Sequence, residues 1–218
     1  MVERSGQGRT DVRTRAGRRW VVAWVALVVA GTLLALAASG AGPLPGDLAL
    51  TRLLQGLQPD GPVGLLLSYV GDAVWFLPVV ALAVALLWRR WADALFILLA
   101  SVTGLLVGDA LKLLAARPRP PVELVRIYES SDGYGFPSGT VLFAVVVLGA
   151  VCYLVRSAPR HVFVAVLAAS SLLVVVVGLS RVYVGEHWAT DVVGGWLFGA
   201  AWLIPLAATH RWWSNRRR

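Results

Sequence analysis

The sequence predicts an all-α polytopic membrane protein, a six-transmembrane helix bundle with both termini cytoplasmic. Three observations carry this. Of the 218 residues, 58% are hydrophobic and only 15% charged, which is too apolar for a soluble domain or a disordered chain. Apolar stretches close to the roughly 20 residues needed to cross a bilayer recur along the whole length. The basic residues alternate unevenly between successive loops, as topology requires.

Residues 1–19 carry Arg4, Arg9, Arg13, Arg15, Arg18 and Arg19 among small polar residues, a composition that predicts a flexible, basic cytoplasmic tail. Residues 20–209 form one six-helix domain. Its first span, Trp20 to Ser39, is longer than a signal-peptide core and lacks a clean cleavage site, so it stays as a helix. The Arg18-Arg19 pair lacks the rest of a twin-arginine export signal and reads as a positive-inside anchor. Next, Asp47 follows Pro45-Gly46, and Leu50, Leu53, Leu54 and Leu57 recur at helical spacing. They predict a short helix in the outer interface that covers the bundle. Further apolar stretches run over about 62–88, 91–115, 138–155, 162–179 and 192–209. Residues 210–218 form a second basic cytoplasmic tail.

Under this arrangement the cytoplasmic side holds the N-terminal arginines, Arg89, Arg90, Arg156, Arg160, Arg211 and Arg216 to Arg218. The outer side holds Arg52, Lys112, Arg117, Arg119, Arg126 and Arg181. The net charge of +8 is therefore a topology signal that favours anionic lipids at the cytoplasmic face and does not indicate nucleic acid. A multi-pass protein of the bacterial cytoplasmic (inner) membrane follows. Cys152 is the single cysteine, so there is no internal disulfide and no thiolate metal cluster. Oligomeric state has no signature in the sequence.

The outer loops carry most of the polar chemistry. In the first, Lys112, the only lysine of the chain, precedes Arg117-Pro118-Arg119-Pro120, and the prolines end the third span and present cations at the membrane surface. The second, Gly135-Phe136-Pro137-Ser138-Gly139-Thr140, opens the fourth span, where free backbone N–H groups can receive an anion. In the third, which begins at Ser180-Arg181, His187 and Asp191 stand four apart on one helical face, so a carboxylate can hold an imidazole in one tautomer. Each element has an ordinary alternative: a snorkelling lysine, headgroup-binding arginines, a serine helix cap, a structural His–Asp hydrogen bond. Their convergence on one face points to a phosphate site.

These residues resemble the three motifs of the type 2 phosphatidic acid phosphatase (PAP2) superfamily, which also includes bacterial acid phosphatases and vanadium haloperoxidases. The first motif, a lysine, six intervening residues and Arg-Pro, maps onto Lys112 and Arg119-Pro120. The second, Pro-Ser-Gly-His, maps onto Pro137-Ser138-Gly139 and then Thr140. The third is complete: Ser180-Arg181, five residues, His187, three residues, Asp191.

The resemblance implies that His187 attacks phosphorus to form a phosphohistidine, that Asp191 orients it, and that water then releases phosphate. It implies that Lys112, Arg119, Ser138, Gly139 and Arg181 bind the phosphoryl oxygens, with no metal and no cofactor. Arg117 is then a rim charge. The implied activity is hydrolysis of a lipid phosphate or diphosphate, isoprenoid diphosphate favoured, at the outer membrane face. Thr140 departs from the pattern, since the family histidine there protonates the leaving oxygen. A water on Thr140, Asp132 or Tyr134 is a candidate substitute. The alternative is a catalytically impaired lipid-phosphate binding or transport protein. Asp109, one turn before Lys112, is expected to pair with it. Asp72, within the second span, is read as bonding a neighbouring helix in preference to supporting the site.

Overall fold

The computed structural model describes residues 4–40, 42–57 and 62–216, and every regular element in them is helical. The helices are α1 Arg4–Ala38, α2 Asp47–Leu57, α3 Pro62–Ala73, α4 Leu77–Leu87, α5 Trp91–Ala115, α6 Gly139–Leu154, α7 Arg160–Tyr183 and α8 Ala189–Arg216. A 3-10 turn at Val74–Phe76 joins α3 to α4. The outermost tail residues, 1–3 and 217–218, lie outside the described residues.

The backbone of the N-terminal segment is helical from Arg4, continuous with the first apolar stretch. Arginine is a good helix former, and a segment that only extends an existing helix avoids the costly nucleation step. At the other end, α8 likewise continues through Trp212 to Arg216.

Among the described residues, five stretches are long and apolar enough to cross a bilayer: Gly17–Ala38, Leu66–Leu87, Trp91–Ala115, Arg160–Tyr183 and Ala189–Arg216. The remaining predicted span is α6, with only 16 residues, about 24 Å at 1.5 Å per residue and short of a roughly 30 Å hydrocarbon core. Its setting explains its length. Val141, Leu142, Phe143, Ala144, Val146, Val147 and Leu148 are all buried, and α6 packs against α5, α7 and α8. An inner helix sheathed by others has no need to match the thickness of the lipid around it.

Helices α6 and α8 pack closely. A Cβ added at Gly195 would stand 2.9 Å from the Ser138 carbonyl oxygen, 3.0 Å from the Val141 Cβ and 3.1 Å from the Leu142 nitrogen, so α8 meets the backbone of α6 there. Small residues at such crossings let apolar helices associate where no hydrophobic force drives them together.

The short helix α2 forms where expected, but its buried side is polar. Asp47, Thr51 and Gln55 are buried while Leu53 is 61% exposed. Gln55 donates to the carbonyls of Arg126 at 2.7 Å and Tyr183 at 2.9 Å, and its oxygen accepts from the Arg126 N–H at 3.1 Å. In a lipid surround the polar stripe turns inward to satisfy loop backbone groups, and leucines can face outward.

Replacing Gly195 by alanine should lower stability by about 1–3 kcal/mol, because the obstructing atoms are backbone. Thermal unfolding in detergent measures this, with Gly17→Ala, which meets nothing within 4 Å, unchanged.

Candidate active site

The C-terminal end of α5 sets up the site. Ala116 adopts a left-handed conformation (φ 48°) with its N–H bonded to the Lys112 carbonyl, a turn that ends the helix and redirects the following Arg-Pro pairs. Segment 117–138 then returns across the top of the bundle to α6, and residues 184–188 join α7 to α8.

These segments enclose a cavity of about 520 Å³. Of the predicted residues, Lys112, Arg119, Thr140, Arg181 and His187 line it together, with Asp72, Trp75, Glu129, Ser130, Ser131, Asp132 and Glu186. Three others stand directly behind the lining. Gly139 packs against Lys112, whose Nζ lies 3.2 Å from where a Cβ would be. Ser138 makes no cap bond, and its buried hydroxyl has no partner among the described residues. Asp191 is fully buried, and its backbone carbonyl accepts the Ser138 N–H at 2.9 Å, which ties the second and third motifs together.

His187 is 2% exposed. Its Nδ1 lies 2.8 Å from the Gly135 carbonyl oxygen and 3.8 Å from Asp191 Oδ2. The carbonyl can only accept, so Nδ1 carries the hydrogen and the lone pair of the neutral ring is on Nε2. The sequence predicted that Asp191 would hold the ring directly, but a backbone carbonyl makes the short bond and the carboxylate is one step further away. Burial depresses the His187 pKa below its ordinary value, against the opposing pull of Asp191, so the ring stays neutral at neutral pH.

Arg181 is the most heavily engaged cation. It donates to Glu186 at 2.8 Å and Glu129 at 3.2 Å, lies 3.6 Å from Asp72, and bonds Ser180 and the Ser68 carbonyl. Glu186 also accepts from the Ser131 hydroxyl. Burial pushes the Glu129 carboxyl above the usual range despite Arg181. For Glu186 burial acts the same way, but Ser131 together with His187, Arg181 and Arg119 outweighs it and leaves its pKa lowered. Arg119 is held by the carbonyls of Glu186 at 3.1 Å and Asp132 at 3.3 Å. The predicted cationic pocket is thus mixed in sign, with carboxylates already seated on Arg181 and backbone carbonyls on Arg119, the guanidinium groups that would receive a phosphate.

Two predicted placements change. Asp72, read as a helix-bonding residue, is 66% exposed at its side chain and belongs to the cavity wall beside Arg181. Arg117, read as a rim charge, is fully buried between Asp47 and Asp191. Asp109 contributes to the electrostatic surroundings of Lys112 without forming the expected ion pair, and Lys112 lines the cavity. Of the substitute proton donors, Asp132 and Thr140 line the cavity, and Tyr134 is outside the lining. Among the described residues no group of three or more His, Cys, Asp or Glu is arranged to hold a metal.

Sequence reasoning missed Asp47, Glu129 and Gly71. A Cβ at Gly71 would overlap the Arg181 guanidinium, so this glycine makes the room in which Arg181 lies. A glycine inside an apolar span gives no signal of that kind.

Comparison with known proteins agrees with the motif reading. The family model described as the PAP2 superfamily matches residues 90–218. The chain is 33% identical over 139 residues to phosphatidylglycerophosphatase B of Bacillus subtilis, covering 61% of this chain and 66% of that protein. It is 32% identical over 154 residues to undecaprenyl-diphosphatase of Sulfolobus acidocaldarius, covering 68% of each. It therefore spans about two thirds of the length of these relatives. Among solved structures, the transmembrane PAP2-type phosphatidylglycerolphosphate phosphatase from Bacillus subtilis superposes with TM-score 0.74 at 25% identity, covering 89% of this chain and 97% of that one. Aquifex aeolicus LpxE shares the fold, with TM-score 0.60 at 22% identity, covering 77% of this chain and 95% of that one.

Gly71→Ala should displace the Arg181 guanidinium and lower turnover of any phosphorylated substrate about 10- to 100-fold. Steady-state assays of Gly71→Ala beside Gly56→Ala, where a Cβ meets nothing within 4 Å, measure it, and the control should keep wild-type rates.

Proposed function

The chain belongs to the PAP2 superfamily, and from that premise we propose that it is an integral-membrane lipid phosphatase acting on an isoprenoid diphosphate through a phosphohistidine at His187. The observation that carries this is the Nδ1–Gly135 hydrogen bond, which leaves the Nε2 lone pair available in a cavity that also holds Lys112, Arg119 and Arg181.

In the first step Nε2 attacks the terminal phosphorus, an N–P bond forms, and the bridging P–O bond breaks toward the leaving prenyl monophosphate. In the second, water attacks the same phosphorus, the N–P bond breaks, and inorganic phosphate departs. Lys112, Arg119 and Arg181 would stabilise the equatorial oxygens in both transition states, with the Ser138 hydroxyl and the Gly139 N–H as neutral donors. This reading uses no metal. Incoming phosphoryl oxygens would replace Glu129 and Glu186 on Arg181, which keeps that side chain in place while the site is empty.

Thr140 selects the substrate class. A monoester must expel an alkoxide whose conjugate acid has a pKa of roughly 16, comparable to water, and missing acid catalysis there costs about 10²- to 10⁴-fold. A diphosphate expels a phosphate monoester whose second pKa is roughly 6, and that group leaves with little protonation. The relative named undecaprenyl-diphosphatase supports this preference. Were the chain a binding or transport protein instead, an oriented nucleophile would have no use.

We assign the site to the outer face of the bacterial inner membrane, on the positive-inside distribution of arginine. In a Cys152→Ala background, cysteine at Val122, which is 71% exposed, should react with an impermeant thiol reagent in intact cells, and cysteine at Ser157 should not. The reverse pattern would place the site in the cytoplasm.

His187→Ala should abolish phosphate release. The wild type should turn over a prenyl diphosphate with kcat/KM about 10²-fold or more above that for its monophosphate, and Thr140→His should narrow the gap by raising the monophosphate rate. Equal wild-type rates would refute the leaving-group argument. The acid limb of the kcat/KM profile should lie below the ordinary imidazole pKa of roughly 6.5, because the nucleophile must be neutral and burial depresses its pKa.

A further inference from the structure

Behind the nucleophile lies a buried charge network that no motif assigns. Arg117 is fully buried, with Nη1 2.6 Å from Asp191 Oδ1 and Nη2 2.8 Å from Asp47 Oδ2. Asp47 is 1% exposed and accepts the Leu44 N–H and the N–H and hydroxyl of Thr190. The second oxygen of Asp191 accepts the Trp188 N–H at 2.8 Å. The backbone of Arg117 acts on the same centre from the other side: its carbonyl accepts the Gly135 N–H at 2.8 Å, and the Gly135 carbonyl in turn holds His187 Nδ1.

We propose that Arg117, braced by Asp47, is the positioning residue for His187, fixing the ring through Gly135 and setting the negative charge it experiences through Asp191. The inference rests on His187 being the nucleophile. With one oxygen on Arg117 and the other on Trp188, Asp191 is kept 3.8 Å from the imidazole, beyond hydrogen-bond reach. The carboxylate therefore steadies positive charge that develops on the ring during attack, yet does not protonate the resting ring. A bare Asp191 in contact with Nδ1 would raise the imidazole pKa and shrink the fraction of neutral nucleophile. Asp47 completes the device by keeping part of the Arg117 charge away from Asp191.

The charges facing His187 are Asp191 from α8 and Arg119 and Glu186 from the loops. Lys112, Arg181, Asp72, Glu129 and Asp132 share its cavity. Apart from Asp191, itself a member of the network, none of these side chains is bonded to Arg117 or Asp47, so an altered titration of His187 reports on the network.

The test is the pH dependence of kcat/KM on one diphosphate substrate, compared between variants so that the titration of the substrate cancels. Arg117→Gln exposes the ring to the full charge of Asp191, and the acid limb should move up by about one pH unit, the effect of one charge at such range. Its kcat should fall about 10- to 100-fold with KM within about twofold, as for a group that acts through another. Asp47→Asn concentrates Arg117 on Asp191 and should move the limb down. A role confined to packing would lower rates without opposite displacements, so limbs that stay fixed or move in one direction overturn the proposal. If Arg117→Gln does not elute from gel filtration as folded protein, the sign for Asp47→Asn decides: a downward shift supports the proposal, and an upward shift or none refutes it. Turnover retained in His187→Ala would overturn the nucleophile assignment instead, which separates the two failures.

Discussion

Two carboxylates and one guanidinium, closed off from water, organise the end of the bundle that holds the cavity. Asp47, Arg117 and Asp191 have side chains with no exposure, and isolated charges in such surroundings would be intolerable. Each is acceptable only because the others and several N–H and hydroxyl groups complete its hydrogen bonding. Removing one member of such a group leaves an unpaired buried charge, at a cost of about 3–5 kcal/mol. The network is thus weak evidence for stability and strong evidence for specificity, since only one arrangement of α2, the end of α5 and the start of α8 satisfies it.

Around this centre the helices obey the bilayer more than their own periodicity. Helix α2 turns Asp47, Thr51 and Gln55 inward beside Leu54, which packs against the core, and leaves Leu53 exposed. Helix α6 is apolar on all sides, with only 16 residues and half of them buried inside the bundle. The Val74–Phe76 turn interrupts the second apolar stretch beside the cavity residues Asp72 and Trp75, so that a local change of helix pitch borders a polar space.

The legible part of the site was the part written in local spacing. Lys112 with Arg119, Ser138 with Gly139, and Arg181 with His187 and Asp191 each belong to one short segment, and all of them lie in or directly behind one cavity. What the sequence hid has long-range causes. Asp47 reaches Thr190 across 143 positions of chain, Glu129 finds Arg181 across 52, and the empty place at Gly71 matters only because Arg181 occupies it. Arg117 was misread for the same reason: two Arg-Pro pairs in series look alike, and only the fold distinguishes the buried arginine from the one in the cavity. Most of the helices were visible from hydropathy, whereas the polar face of α2 was not, because leucine spacing cannot say which neighbours a helix will have.

The reach of Asp47 bears on biogenesis. A chain inserted from its N-terminus delivers Asp47 first, Arg117 later, and the pair Thr190–Asp191 only with α8. Until α8 docks against α6, His187 lacks the carboxylate behind it. A partly inserted chain therefore carries the cations beside two unmatched buried charges, and the network closes only when α8 arrives.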